Sequence, residues 1–295
     1  MTSAAVPARR PRRRSPALRL LALSRPRFWP YLVGPWAVGV AAAEVRPDAV
    51  DVLLGIYLTL PANLLIYGVN DLYDRATDRL NSKKGSYEVL LDPSEDRRLK
   101  IAVLATNLPF LALVPFLPIT ATLWLAVFLV LGIGYSARPL RFKARPGWDS
   151  ASNLLYAVPG FAAYAAASDG GSPPVLLVVA AGLWCAAMHA YSAVPDIESD
   201  RTARLATIAT RLGATGTLVL CLALWLGAAA VVVPRLPVFA AVTGVVYGVL
   251  GVASLLAVTG RGRVPLFALY RAFPLVNTAV GAGLFFSVLP LDRVL

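Results

Sequence analysis

Nine long apolar stretches, separated by short polar pieces, constrain what this chain can fold into. They fall at roughly 27–43, 50–69, 98–117, 119–136, 150–167, 174–195, 212–233, 236–259 and 264–290. Each approaches the ~20 residues that a helix needs to cross the hydrocarbon core of a bilayer. Of the 295 residues, 58% are hydrophobic and 15% charged, where a soluble domain carries about 25% charged residues. The bilayer is therefore the solvent to reason in. Within it every backbone group must find a partner inside the protein, so the segments read as helices. Pro61, Pro109, Pro115 and Pro274 fall inside spans and read as kinks whose freed carbonyls neighbouring groups satisfy.

Charge placement orients the bundle. With nine spans and the N-terminus inside, all of the 28 Lys and Arg except Arg46, Arg235 and Arg293 lie in the inner loops or flank them. Such a contrast assigns these loops to the cytoplasm and the C-terminus to the outside. The reading is a multi-pass protein of the cell membrane. Residues 1–24, with Arg9, Arg10, Arg12, Arg13 and Arg14, read as a disordered basic arm drawn to anionic lipid headgroups, and residues 25–295 as one membrane domain. The net charge of +12 thus has a topological origin, and no nucleic-acid partner is expected. Cys185 and Cys221 both lie in spans and read as packing residues rather than a disulfide or a metal site. No small-residue cleavage site follows the first span, which argues against a cleaved signal peptide.

Two acidic clusters interrupt this apolar chain. Segment 2 ends in Asn70-Asp71-x-x-Asp74-x-x-x-Asp78 and segment 6 in Asp196-x-x-x-Asp200. Basic loops follow segments 4 and 8, so acidic and basic ends alternate on one face. Carboxylates at membrane helix ends are costly and mark function. On a helix, Asn70, Asp74 and Asp78 fall within roughly 80° of arc, with Asp71 at the edge of the stripe. Asp196 and Asp200 share a face in the same way, while Glu198 points away and reads as a surface residue. Two such walls facing across a cavity can hold Mg²⁺ by one or two carboxylates each, leaving places for diphosphate oxygens. The predicted fold is an all-α integral membrane bundle of nine transmembrane helices, with a central cavity open to the cytoplasmic face.

The chemistry follows from this electrostatic arrangement. An allylic diphosphate ionises when the charge growing on its leaving group is neutralised. Lys83, Lys84, Arg138, Arg141, Lys143 and Arg145 lie in the two loops that can supply cations. Tyr135 and Ser136 can donate hydrogen bonds to phosphate oxygens. The allylic cation then needs a dry pocket, where the faces of Trp184, Tyr156, Tyr164 or Phe161 could steady it. His189, the single histidine, stands two turns before Asp196 on about the same face. It reads first as a polar contact between helices and second as a proton acceptor.

These motifs resemble those of the UbiA-type membrane prenyltransferases. NDLYDRATD is similar to the first aspartate motif of that family, DIESD to the second, and YSARPLRFKARP to the loop between them. The resemblance spans nearly the whole chain and agrees with the family's nine-helix architecture. It implies that Asn70, Asp74, Asp78, Asp196 and Asp200 hold two Mg²⁺ ions. It implies further that Lys83, Arg141 and Lys143 hold the diphosphate, with Tyr135 nearby. SRPRFWP, YGVNDLYDRATDRLNSKKG, RFKARPGWDSASNLLYAVPG and MHAYSAVPDIESD look most like the carotenoid, or lycopene elongase, branch. That likeness implies a dimethylallyl diphosphate donor and a lipophilic polyene acceptor, lycopene, with a carotenoid cyclase as a candidate partner. Attack by the acceptor's terminal alkene would leave a tertiary cation, which ends by proton loss or water capture. Asp71 and His189 are candidate proton acceptors beside the released diphosphate. Two departures stand after the second motif: Arg204-Leu205 where a glycine-containing turn is expected, and Ala206-Thr207-Ile208-Ala209-Thr210 in place of a threonine pair. The alternatives are an aromatic acceptor of a quinone, haem or chlorophyll pathway, a terpene cyclase on the same scaffold, and, more remotely, a cation-coupled transporter.

Overall fold

A computed structural model describes residues 15–75 and 91–289. Arg9 to Arg14, Asp78, Lys83 and Lys84 lie outside the described residues. The described residues are helical, with no strand among them. In chain order the helices are α1 (Pro16–Leu23), α2 (Pro30–Ala42), α3 (Ala49–Tyr57), α4 (Leu60–Tyr73), α5 (Asp96–Asn107), α6 (Ile119–Ser136) and α7 (Trp148–Ala151). They continue with α8 (Val158–Ala167), α9 (Val175–Ala193), α10 (Ile197–Thr202), α11 (Ile208–Val232), α12 (Pro237–Val258) and α13 (Leu266–Val288). By length and composition, seven helical runs are long and apolar enough to cross a membrane; α2 is apolar but shorter, at 13 residues. Large apolar side chains face outward, Phe116, Val175, Val238 and Leu275 among them, as lipid contact requires.

The prolines act where the sequence puts them, in two different ways. Segment 2 breaks between α3 and α4 just before Pro61, and the buried Asn63 amide repairs the break. Its Nδ2 donates to the carbonyls of Leu58 (2.9 Å) and Thr59 (2.7 Å). Around Pro109 and Pro115 there is no local kink: Leu108–Phe116 winds as a 3₁₀ run instead. A proline removes one i→i−4 hydrogen bond and clashes with the preceding turn. Two so close together favour the tighter winding throughout.

Residues 16–23, assigned to the arm in the sequence, are part of the folded body. Ser15 caps α1, whose Leu20 and Leu23 pack with Leu64, Leu65 and Leu99. Arg19 pairs with Glu95 at 2.7 Å.

The two largest of four apolar clusters among the described residues build the centre of the body. One joins Tyr191, Trp225, Tyr247 and Phe273 from α9, α11, α12 and α13. The other joins Leu32, Leu54, Leu58, Phe128 and Phe161 from α2, α3, the break before α4, α6 and α8. Tyr156 packs against both, and a cavity lies between them. The second cluster depends on a close crossing of α2 and α8. A Cβ on Gly39 would lie 2.1 Å from the Gly160 carbonyl oxygen, and one on Gly160 would lie 2.7 Å from that of Pro35.

Candidate active site

The first acidic cluster is not one uninterrupted helical stripe. α4 ends at Tyr73, and Asp74 caps it outside helical geometry (φ −102°, ψ 4°). Asn70 and Asp74 nevertheless stay neighbours, as residues four apart do on a helix. Asn70 Nδ2 donates to Asp74 Oδ2 at 2.6 Å and to Ser136 Oγ at 2.9 Å, and Ser136 Oγ donates to Asp74 Oδ2 at 3.1 Å. The Lys143 ammonium pairs with Asp74 Oδ1, and both side chains are buried. Asp71, at the edge of the stripe as its angle requires, turns to a different cation. Arg25 Nη2 meets it at 2.9 Å, and the Arg25 guanidinium also lies 4.6 Å from the centre of the Tyr67 ring.

The loop after α6 delivers Lys143. Arg141 adopts left-handed geometry (φ 42°), and a short 3₁₀ turn, Phe142–Ala144, follows it. Phe142 stacks on Trp148 with ring centres 5.7 Å apart and approaches Gly134 closely enough that a Cβ there would sit 3.0 Å away. The turn folds back on the end of α6 and sends Lys143 inward. Arg141 is half-buried and makes no side-chain ion pair among the described residues.

Asp149 fixes this loop to the helix beyond the second cluster. It is fully buried. One carboxylate oxygen accepts from Gly147 N and the other from Ile208 N, both at 2.8 Å, so it ties the loop to the start of α11. Burial pushes its carboxyl up, opposed by these backbone donors. Asp149→Ala removes the acceptor of an exposed N–H at Gly147 and a half-buried one at Ile208 and is expected to lower stability by about 1–2 kcal/mol. The thermal midpoint in detergent measures that loss. The midpoint would stay put if Asp149 merely filled space.

The second cluster begins in a 3₁₀ turn, Val194–Asp196, and continues into α10 with Asp200. Glu198 is exposed and pairs with Arg201 at 3.0 Å, a surface residue as read from the sequence. The departures after this motif find local explanations. Arg204 takes the left-handed conformation (φ 54°) in which a glycine would be at ease, so the turn is kept without one. Thr207 and Thr210 form a reciprocal cap at the start of α11.

A cavity of about 720 Å³ opens between the two clusters of the core, and one of about 200 Å³ adjoins it. Arg25, Tyr67, Asn153, Tyr156 and His189 line both. Asn70 and Tyr135 line the smaller and Asp196 the larger, so the two acidic motifs face one connected space. Asp200 is not in either wall. His189 meets Tyr135 edge to face, with ring centres 5.8 Å apart.

Of the four aromatic residues named from the sequence for steadying the cation, Tyr156 alone reaches these cavity walls. Trp184 donates to the Tyr247 hydroxyl, and Phe161 packs on Trp124. Phe28, Tyr31 and Tyr67 stand in their place. Arg25 was also missed as a site residue, although it begins the RPRFWP stretch.

Among the described residues, no three His, Cys, Asp or Glu side chains gather tightly enough to bind a metal unaided. The donors fit a hard divalent cation shared with a substrate. They are carboxylate and carboxamide oxygens, and the Asp74 carboxylate already holds one buried cation, the Lys143 ammonium. A site that leaves coordination places for phosphate and water suits Mg²⁺.

Comparison with known proteins agrees with this geometry. Residues 28–285 match the UbiA prenyltransferase family. A lycopene elongase/hydratase of Halobacterium salinarum is 42% identical over 270 residues, covering 89% of this chain and 94% of the relative. A lycopene elongase/hydratase of Haloferax volcanii is 43% identical over 274 residues, covering 89% of this chain and 85% of the relative. In fold, the chain is similar to a UbiA homolog from Archaeoglobus fulgidus bound to DMAPP and Mg²⁺. There the TM-score is 0.66 at 24% identity, over 92% of this chain and 98% of that one.

Proposed function

Because this chain belongs to the UbiA prenyltransferase family, we propose that it ionises dimethylallyl diphosphate and joins the five-carbon unit to a lipophilic polyene, lycopene, in carotenoid biosynthesis. The observation that carries this reading is the cluster of Asn70, Asp74, Ser136 and Lys143, beside an aromatic cavity whose far wall bears Asp196. Identity above 40% to two lycopene elongase/hydratases supports the acceptor. A solved homolog holding DMAPP and Mg²⁺ supports the donor and the metal.

Asn70, Asp74, Asp196 and Asp200 would hold two Mg²⁺ ions, together with Asp78, which lies outside the described residues. Bound there, Mg²⁺ neutralises charge on the departing diphosphate. Lys143 and Arg141 bind the diphosphate, with Lys83, also outside the described residues, in the same role. Tyr135 donates to a phosphate oxygen. The rings of Phe28, Tyr67 and Tyr156 exclude bulk water and steady the allylic cation. The terminal alkene of the acceptor attacks that cation and becomes a tertiary cation. Of the two candidate proton acceptors, His189 stands in both cavity walls, whereas Asp71 is held by Arg25.

We place the chain in the cell membrane with nine spans. The N-terminus, the cavity mouth and the basic loops face the cytoplasm, the C-terminus lies outside, and a carotenoid cyclase is a candidate partner for the product. The test supplies purified protein with labelled dimethylallyl diphosphate and either lycopene or a hydroxybenzoate, with and without a Mg²⁺ chelator. Label is expected in lycopene only, and only without chelator. Label confined to the hydroxybenzoate would reject the polyene reading. A hydrocarbon released from a long-chain prenyl diphosphate with no acceptor present would identify a cyclase.

A further inference from the structure

A line of hydrogen bonds crosses the interior from α9 to the cavity. Trp184 Nε1 donates to the Tyr247 hydroxyl at 2.7 Å, which donates to Asn277 Oδ1 at 2.9 Å. Asn277 Nδ2 in turn donates to the Tyr31 hydroxyl at 3.1 Å. Tyr247 and Asn277 are buried, and Tyr31 lines the larger cavity. Polar groups so placed inside a membrane bundle are costly and point to function.

The direction of this line is fixed by its first member. An indole N–H can only donate, so Tyr247 accepts there and directs its own O–H at Asn277. The amide oxygen is thereby occupied, and the amide N–H donates onward to the Tyr31 oxygen. Tyr31 is left as a hydrogen-bond donor whose O–H has no protein acceptor among the described residues. Because its oxygen already accepts an N–H, Tyr31 is poorly suited to act as a base.

A polyene acceptor carries no oxygen that a donor in this wall could meet. A hydrated ending is already stated in the names of the two elongase/hydratase relatives; resting on the function proposed above, we infer that in this chain Tyr31 is the residue that holds the water capturing the tertiary cation. The water accepts the Tyr31 O–H through one lone pair and forms the C–O bond through the other. A carbocation needs no activated nucleophile, so a positioned water suffices. The resulting oxonium loses its proton to the released diphosphate, and no oxidant or reductant enters. Trp184, Tyr247 and Asn277 are positioning residues that act through Tyr31.

The test runs the reaction in H₂¹⁸O and measures the ratio of hydroxylated to alkene product by mass spectrometry. Wild type is expected to incorporate ¹⁸O. Tyr31→Phe keeps the ring and is expected to lower the ratio about tenfold, the worth of one hydrogen bond. Trp184→Phe lies outside the cavity wall and is expected to shift the ratio in the same direction by less. A ratio unchanged in Tyr31→Phe, or a wild-type product without ¹⁸O, would overturn the inference and leave prenyl transfer intact. If Tyr31→Phe yields no prenylated product, Trp184→Phe decides on the same ratio, and an unchanged value there overturns the inference. A wild type that labels no polyene would instead sink the proposed function, and this inference with it.

Discussion

Asp74→Asn is expected to lower diphosphate release about a thousandfold and to destabilise the protein by about 3–5 kcal/mol. The first effect comes from removing a carboxylate where charge neutralisation drives ionisation, a contribution of several kcal/mol to the transition state. The second comes from Lys143, whose ammonium would stay buried beside a neutral amide. Breaking one side of a buried ion pair carries that penalty, whereas replacing both sides by apolar groups is often neutral. The two effects can therefore be separated. Adding Lys143→Met to Asp74→Asn should restore most of the thermal midpoint and none of the turnover. A double variant that stays as unstable as the single one would show that Lys143 is not what Asp74 balances. Full turnover in Asp74→Asn would remove the metal assignment.

Gly39→Ala is expected to cost about 3 kcal/mol or more, although it adds one methyl group to an apolar helix. The new Cβ would lie 2.1 Å from the Gly160 carbonyl oxygen and 3.0 Å from Tyr164 N. Both neighbours are backbone, so no side-chain rotation relieves the overlap and α2 must move away from α8. Overpacking by a methylene costs about 1–3 kcal/mol even where side chains can adjust. Membrane helices depend on small residues for such close approach. Because α2 carries Tyr31 and adjoins Phe28 at the cavity wall, turnover should fall together with the thermal midpoint. Gly34 on the same helix has nothing within 4 Å of an added Cβ. Gly34→Ala should be neutral or stabilising by up to about 1 kcal/mol through helix propensity. Equal losses in the two variants would rule out the close crossing as the cause.

The legible part of the site was its local part. Asn70 and Asp74 are one turn apart along α4, so their contact follows from spacing alone. The displacement of Asp71 toward another partner follows from the same geometry. The reading of one continuous stripe assumed an unbroken helix; α4 stops at Tyr73, and Asp78 lies outside the described residues. The aromatic residues were misassigned for a general reason. In a soluble helix the apolar face marks the inside, but a membrane helix is apolar all round. Trp184 and Phe161 therefore looked as eligible for the cavity as Tyr67 and Tyr31.

By itself, the sequence determined the solvent, the helical class and the family. Each of these depends on composition or on residues close along the chain: apolar length must match bilayer thickness, and motif spacing must match a helical turn. Tertiary structure decided which cation meets which carboxylate, Lys143 on Asp74 and Arg25 on Asp71. It also decided that α1 belongs to the body and that Gly39 sets the distance between α2 and α8. Those outcomes depend on how helices rotate against one another. In lipid that rotation is set by packing and polar contacts between helices, since no apolar face distinguishes inside from outside.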